Sequence, residues 1–299
     1  MSRIVYVNGE FVPEADAKVS VFDRGFLFAD GVYEVSSVLS GKLIDNDNHL
    51  IRLHRSLSEL QMPSPASDEE ITAIQYELVE RTQLQEGLVY LQISRGPVAD
   101  RDFAYPANPK PSLVMFTQAK SLLDNPMRET GMSVITVEDM RWKRRDIKAV
   151  GLLAPCMAKM QAMEAGANDA WLVENGMVNE GSSNNAYIVT QDDVIVTRHV
   201  GNEILNGITR RAVLGLAAER NYTVEERSFS IAEAYAAKEA FITSASTFVM
   251  PVVKIDDAVI GNGKPGEVSM QLREFYIKTA LADVGVSFAN CSNSRLRLT

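Results

Sequence analysis

The stretch Arg141-Trp142-Lys143-Arg144-Arg145-Asp146-Ile147-Lys148 decides how this chain reads, and Lys148 decides the stretch. A strand-like run from Met132 to Val137 leads in, and a helical run from Ala149 to Ala165 leads out. Lys148 therefore falls at an element boundary, where a side chain faces a cleft instead of a packed core. Its apolar flank of Ile147, Ala149, Val150, Leu152 and Leu153 predicts a partly desolvated ammonium. Desolvation lowers a lysine pKa and frees the neutral amine, the form that attacks carbonyls. The competing reading is a solvated lysine in a basic cluster, because most lysines are exposed. The rest of the chain has to choose between them.

At 299 residues the chain is long enough for two domains, with hydrophobic and charged contents of 46% and 23% that suit a globular protein. A net charge of −9 argues against nucleic acid as a partner, since no basic excess is present to displace counterions. Cys156 and Cys291 make no disulfide framework, and His49, His54 and His199 are too scattered for a metal site, so no metal is expected. No apolar run has the length of a membrane span, and the first residues lack a signal-peptide pattern. A cytoplasmic protein is the expectation.

Going outward, Asn8-Gly9 predicts a hairpin turn between two short strands. Residues 22–31 form a loop of Gly and Asp, and a strand follows over Val32–Leu39, with Tyr33, Val35 and Ser37 on one face. Helices are expected over His49–Met62 and, behind the capping box Ser67-Asp68-Glu69-Glu70, to about Leu84. Strands at Val89–Ser94 and Leu113–Phe116 enclose a long loop that carries Arg101 and Phe103. A first domain over 1–120, a connection over 121–131, a second domain over 132–283 and a peripheral tail over 284–299 follow. In the second domain, Asn175-Gly176 turns between strands. A polar run from Asn179 to Asn185 interrupts before an extended pattern continues around Asp192 and Asp193. Helices are expected over Arg210–Arg220 and Gly266–Ala282. Strands and helices mix without βαβ alternation, which predicts an α+β fold.

Two anion cradles lie downstream of Lys148. Gly207-Ile208-Thr209 precedes a helix whose free N–H groups and dipole attract phosphate, although such a sequence is more often an ordinary cap. Ser244-Ala245-Ser246 closes a strand with small residues and offers hydroxyl donors. Arg52 on the first helix is a bidentate candidate for the same anion, against a solvated arginine as the alternative. Glu180, a lone carboxylate in the polar run, suits a protonated heteroaromatic nitrogen; the alternative is a loop glutamate in water. A reactive lysine, a phosphate cradle and such a carboxylate together describe a pyridoxal phosphate site.

The motifs Arg144-Arg145-Asp146-Ile147-Lys148, Asn179-Glu180-Gly181-Ser182-Ser183-Asn184, Leu205-Asn206-Gly207-Ile208-Thr209-Arg210 and Asp30-Gly31-Val32-Tyr33-Glu34-Val35 resemble, in order, those of the D-amino acid aminotransferases. These are fold-type IV pyridoxal phosphate enzymes, two-domain homodimers grouped with the branched-chain aminotransferases and aminodeoxychorismate lyases. The resemblance, spanning Ile4 to Ala282, implies transfer of an amino group from a D-amino acid to a 2-oxo acid. It implies that Lys148 holds the cofactor covalently and moves the substrate proton, that Glu180 keeps the ring nitrogen protonated, and that Leu205 packs on the ring. Arg52, Ile208, Thr209, Ser244, Ala245 and Ser246 would hold the phosphate. Tyr33 and Arg101 would receive the substrate carboxylate, beside Val35 and Phe103, with the arginine loop crossing from a partner subunit. The sequence departs from the family where Arg-x-His is usual: here it reads Arg101-Asp102-Phe103, which opens the way to apolar substrates or (R)-amines. Branched-chain aminotransferase or lyase activity is the alternative, although the lyases more often carry Phe-Glu-Thr where this chain has Tyr33-Glu34-Val35.

Overall fold

The computed structural model describes residues 3–288, which divide into two compact units. The first comprises residues 3–121, Ile147–Gly151 and residues 283–288; the second comprises Leu122–Asp146 and Leu152–Ala282. Most of the expected tail, residues 289–299, lies outside the described residues.

The first unit is built on one antiparallel sheet. Its elements are β1 (Ile4–Val7), β2 (Glu10–Pro13), α1 (Arg24–Phe28), β3 (Gly31–Leu39), β4 (Lys42–Ile44), α2 (Asn46–Glu59), α3 (Asp68–Arg81), β5 (Glu86–Ser94) and β6 (Ser112–Ala119). The strand order is β2-β1-β6-β5-β3-β4. Asn8 and Gly9 turn the first hairpin at φ of 48° and 105°, as their side chains permit. Ser67 caps α3 reciprocally with Glu70. Leu50, Leu53 and Leu57 recur on one face of α2 and pack with Ile71, Leu78, Leu91 and Ile93 into the core. Each such fully buried aliphatic side chain contributes about 1.5–3 kcal/mol. The segment expected to be all loop, residues 22–31, contains α1, because the Asp23 side chain accepts the Gly25 N–H and caps it.

The second unit holds a mixed sheet and the remaining helices. They are α4 (Met127–Thr130), β7 (Met132–Glu138), α5 (Leu153–Glu164), β8 (Asp169–Glu174), β9 (Met177–Gly181), β10 (Asn185–Val189), β11 (Ile195–Thr197), α6 (Ile208–Glu219), β12 (Val224–Glu226), β13 (Phe229–Ser230), α7 (Ile231–Tyr235), β14 (Glu239–Ser244), β15 (Phe248–Ile255), β16 (Ala258–Val259) and α8 (Glu267–Asp283). The strand order is β12-β11-β10-β14-β15-β7-β8-β9-β13, with β16 on β15. Pairs β7–β8, β7–β15 and β11–β12 are parallel and the others antiparallel. Trp171, Phe229, Ile188, Ile242 and Met250 centre its core. With antiparallel and mixed sheets beside separate helices, the fold is α+β.

Four local expectations are corrected. The helix after Lys148 begins at Leu153, not Ala149, because residues 147–151 spend their backbone groups on β3. Pro155, inside the first turn, lacks an N–H that the helix would not use there. Residues 190–194 are a turn between β10 and β11, with Asp193 at φ 61°, so the extended pattern does not run through Asp192. Helix α6 starts at Ile208, which puts Ile208 and Thr209 in its first turn. Glu180 lies on strand β9 and is buried, so the polar run does not begin at Asn179. Strand β15 gave no sequence signal, because Pro251 demotes a central strand.

Candidate active site

In the first unit the chemistry gathers on β3. Side chains alternate along it, so Tyr33 and Val35 stand half-buried on one face while Glu34 and Ser36 are buried on the other. Tyr33 stacks on Tyr90, and Tyr90 on Phe116, at centroid distances of 5.6 and 4.7 Å, which gives that face an aromatic row. Lys148 reaches the same place from its segment. Its carbonyl accepts the Tyr33 N–H at 3.0 Å, its own N–H donates to Ser56 Oγ at 3.4 Å, and Val32 and Ala149 form a bridge. The ammonium nitrogen stands 4.1 Å from the centre of the Tyr33 ring, within cation–π range. Lys148 and Tyr33 are thus brought together by backbone pairing, which no local sequence signal announces.

On the opposite face Arg52 Nε and Nη2 donate to the two oxygens of Glu34 at 2.8 and 2.7 Å, and His49 Nδ1 lies 2.7 Å from Oε2. Burial alone would raise the Glu34 carboxyl; the Arg52 charge, its hydrogen bonds and His49 outweigh it and hold the pKa at about 2. Arg52 therefore has its guanidinium plane fixed by a carboxylate, one helical turn before the Ser56 that meets Lys148.

Arg101 and Phe103 form a different group. The Arg101 guanidinium lies 4.9 Å from the Phe28 ring and 5.1 Å from the Phe103 ring, and Phe103 is 75% exposed. Asp102 turns its carboxylate to the Ala104 N–H at 3.2 Å. Among the described residues the polar and ring contacts of Arg101 and Phe103 stay within α1 and this loop, and none reaches Tyr33, Val35 or Lys148. The loop itself is held by Arg24, which donates to the carbonyls of Asp102, Phe103 and Ala104 at 2.6, 3.2 and 3.2 Å. Arg24 and Arg95 both donate from Nε to Asp30 Oδ2 at 2.7 Å.

In the second unit the centre is Glu180. Arg141 Nη1 donates to Oε1 at 2.5 Å, and the Leu205 N–H and Asn185 Nδ2 donate to Oε2 at 3.1 and 3.0 Å. Arg141 is fixed in turn by Asp139 at 2.9 and 2.8 Å. Burial raises the Glu180 carboxyl, and Arg141 and the Leu205 amide oppose it without cancelling it. Asn185 also donates to the Leu205 carbonyl at 2.9 Å, so Leu205 is tied to the carboxylate from both sides. Gly207 then starts α6 in extended backbone with no side-chain cap, leaving the first-turn N–H groups of Ile208 and Thr209 as donors. A Cβ on Gly207 would stand 2.2 Å from Asn185 Oδ1, so only glycine fits this close approach.

Ser244, at the end of β14, opens a half-buried turn. Its hydroxyl meets Thr247 Oγ1 at 2.7 Å and Ser246 Oγ at 3.4 Å, which puts three hydroxyls in four residues. Asn185 and Thr243 are paired across β10 and β14, so the turn follows directly from the strand that neighbours Asn185. N–H and hydroxyl donors suit a phosphate dianion, a buried carboxylate suits a ring cation, and a half-buried primary amine suits an aldehyde. This set fits pyridoxal phosphate. Sequence reading missed Arg141 and Asn185 as partners of Glu180, Asp139 as the partner of Arg141, and Arg24 as the anchor of the loop. Arg141 opens the stretch that ends in Lys148, but a charge within a basic cluster carries no mark of its partner. Among the described residues no group of three His, Cys, Asp or Glu side chains is placed to hold a metal ion, and no helix is long and apolar enough to cross a membrane.

Comparison with known proteins agrees with this chemistry. The family model for amino-transferase class IV matches residues 31–255. The chain is 38% identical over 277 residues to a D-alanine aminotransferase of Staphylococcus aureus (strain MSSA476), covering 92% of this chain and 96% of that protein. It is 39% identical over 271 residues to a D-alanine aminotransferase of Bacillus licheniformis, covering 90% and 94%. The crystal structure of the branched-chain aminotransferase from Thermoproteus uzoniensis with norvaline superposes with a TM-score of 0.83 at 26% identity, covering 94% of this chain and 96% of that one.

Proposed function

Because the chain belongs to the class IV aminotransferases, we propose that it is a pyridoxal phosphate-dependent transaminase that moves the amino group of a D-amino acid to a 2-oxo acid. The D preference comes from the D-alanine aminotransferases it resembles. The observation that carries the chemistry is Glu180, a buried carboxylate that arginine, amide and asparagine donors hold against its own desolvation. A carboxylate kept there would suit a cationic ligand group.

Bound pyridoxal phosphate supplies a carbonyl that condenses with amines and a protonated ring that accepts the electron pair of the substrate Cα–H bond. Lys148 would hold it covalently and would serve as the base that moves the proton between the substrate Cα and the cofactor C4′. The Tyr33 ring face under its ammonium keeps that side chain in place when it is charged. Glu180 would keep the ring nitrogen protonated, and Arg141 opposes the rise that burial imposes on its carboxyl. Arg52, Ile208, Thr209, Ser244, Ala245 and Ser246 take the phosphate, and Leu205 packs on the ring. Tyr33 and Arg101 receive the substrate carboxylate, with Val35 and Phe103 beside the substrate side chain.

Arg101 serves the site of a second copy, a reading supported by contacts that do not run to Tyr33 or Lys148 of its own chain. A homodimer is further supported by α5, which exposes Leu153, Met157, Met160 and Met163 at helical spacing, Leu153 at 76%. A cytoplasmic location belongs to the same proposal.

The test is a pair of half-reactions. The cofactor-loaded protein should form one equivalent of pyruvate from D-alanine in the first half-reaction, turn over further only when a 2-oxo acid accepts the amino group, and do both poorly with L-alanine. Preference for L-leucine would favour branched-chain transamination. Pyruvate released from aminodeoxychorismate without an acceptor would favour the lyase.

A further inference from the structure

Phe248 opens β15 directly after the Ser244–Thr247 turn, paired with Ser244 across the hairpin. It has a φ of 58° and no solvent exposure. A three-residue hairpin loop commonly ends in a left-handed residue, but glycine usually takes that place, and a bulky aromatic residue there is strained. Such a conformation persists only where the surroundings over-determine it. Here helix α8 supplies two of those contacts. From α8, Arg273 Nη1 donates to the carbonyls of Thr247 and Val249 at 2.6 and 2.9 Å, which bracket Phe248 on both sides. The Phe248 ring packs on Tyr276 of the same helix at 5.3 Å, and the Arg273 guanidinium lies 5.7 Å from that ring. Arg273 Nη2 donates to the carbonyls of Leu122 and Leu123 at 2.7 and 3.2 Å. The arginine is 3% exposed. A lysine could not reproduce this, because it lacks the planar fork that serves two pairs of carbonyls at once.

We propose that Arg273 is a positioning residue for phosphate binding: by holding the carbonyls on either side of Phe248 it fixes the backbone of the Ser244–Thr247 turn and aims its three hydroxyls at a phosphate monoester. The proposal rests on the reading of that turn as a phosphate cradle. Among the described residues the polar and ring contacts of Arg273 run to these carbonyls and the Phe248 ring, so its effect passes through the turn. An arginine that merely tied α8 to the sheet would affect every ligand of the unit alike, whereas a positioning role falls on the phosphate alone.

The experiment compares two ligands on the full chain stripped of cofactor, pyridoxal 5'-phosphate and pyridoxal, each titrated by absorbance. Arg273→Met should weaken pyridoxal 5'-phosphate at least tenfold and leave pyridoxal within about twofold. Arg273→Lys should fall between Arg273→Met and the unaltered chain, and it decides by the same ratio if the methionine variant does not fold. Equal losses for the two ligands, or an unchanged affinity for the phosphorylated one, would overturn the proposal. Ser246→Ala separates the proposal from its premise. If that variant shows no phosphate-specific loss, the cradle reading falls and the proposal with it. If it shows one while both Arg273 variants do not, only the role of Arg273 falls.

Discussion

Arg141 and Glu180 meet at 2.5 Å, deep in the second unit, with Asp139 holding the other side of the guanidinium. Burial raises the Glu180 carboxyl, and the arginine is the largest influence that opposes the rise. Protonation of Glu180 therefore rests on a balance between burial and Arg141. Glu180→Gln keeps the shape and the Asn185 contact but removes the charge that would retain a ring proton. A hydrogen bond to a charged group contributes about 1.5–3 kcal/mol, so kcat should fall at least about tenfold. Rapid-mixing kinetics of the chemical step are the measurement, and an unaltered rate would sink the pairing.

Removing the arginine should act on folding as well. Arg141→Met leaves Glu180 and Asp139 buried together without their common cation. Breaking a buried pair by deleting one partner costs about 3–5 kcal/mol. Asp139, raised by burial yet held below its usual range by Arg141, would lose its main support. Urea unfolding at pH 7 should show the loss, and it should shrink as pH falls and the two carboxyls take up protons. A variant as stable as the unaltered chain at pH 7 would contradict this account.

Glu34 makes the opposite kind of pH prediction. Its carboxyl lies at about 2 in the folded chain against 4.5 as the ordinary value. A depressed carboxylate contributes stability that is fully present above the unfolded pKa and is lost as pH falls through the folded one. The window is thus from about pH 4.5 down to about 2, and the contribution is about 3 kcal/mol at 1.36 kcal/mol per pH unit. Glu34→Gln should flatten the acid limb of stability in that window and lower stability at pH 7, where Arg52 would be left buried without a carboxylate. An unchanged acid limb in the variant would show that Arg52 and His49 do not hold this group.

What the sequence made legible was local. Asn8-Gly9 and the Ser67–Glu70 capping box announced their structures because the chemistry that makes them lies within four residues. Lys148, Glu180 and Gly207 drew attention as residue types in a telling order. Their surroundings were not legible, because they are made by distant chain. The Lys148 carbonyl meets Tyr33 only when residues 147–151 run alongside β3, and that pairing displaced the helix expected from Ala149. Glu180 read as part of a polar loop, since no local pattern shows that Arg141 and the Leu205 amide satisfy it on a buried strand. Arg273 drew no attention within the helix expected over Gly266–Ala282, because its four carbonyls lie on segments far from it in sequence.

Lys148→Ala should abolish turnover while leaving the fold intact. The side chain makes no ion pair that the core depends on, and the segment is held by backbone bonds to Tyr33 and Gly31 that alanine keeps. Loss of the covalent and proton-moving roles together should cost several powers of ten in rate, since general acid–base catalysis alone contributes about 10²–10⁴-fold. Borohydride should fix pyridoxal phosphate to the unaltered chain and not to the variant. Wild-type turnover in the variant, without added amine, would end this reading of the site.

Substrate choice should turn on Arg101. The residue sits on the loop that Arg24 pins through three successive carbonyls, so its backbone is fixed while its side chain rests between the Phe28 and Phe103 rings. That arrangement offers a charge on an apolar platform, suited to a carboxylate with a small or apolar side chain. Arg101→Ala should raise KM for D-amino acids by the equivalent of about 2 kcal/mol, because the substrate carboxylate would be left unpaired in a closed site. The cofactor spectrum and Tm should stay near those of the unaltered chain, since exposed arginines contribute little to stability. An (R)-amine without a carboxylate should feel the change far less. Arg24→Lys, which keeps the charge but loses the fork that grips the loop, should raise KM in the same substrate-selective way and make residues 101–104 more open to proteolysis. Equal losses for carboxylate and non-carboxylate substrates would mean that Arg101 serves the loop and that the carboxylate is held by another residue.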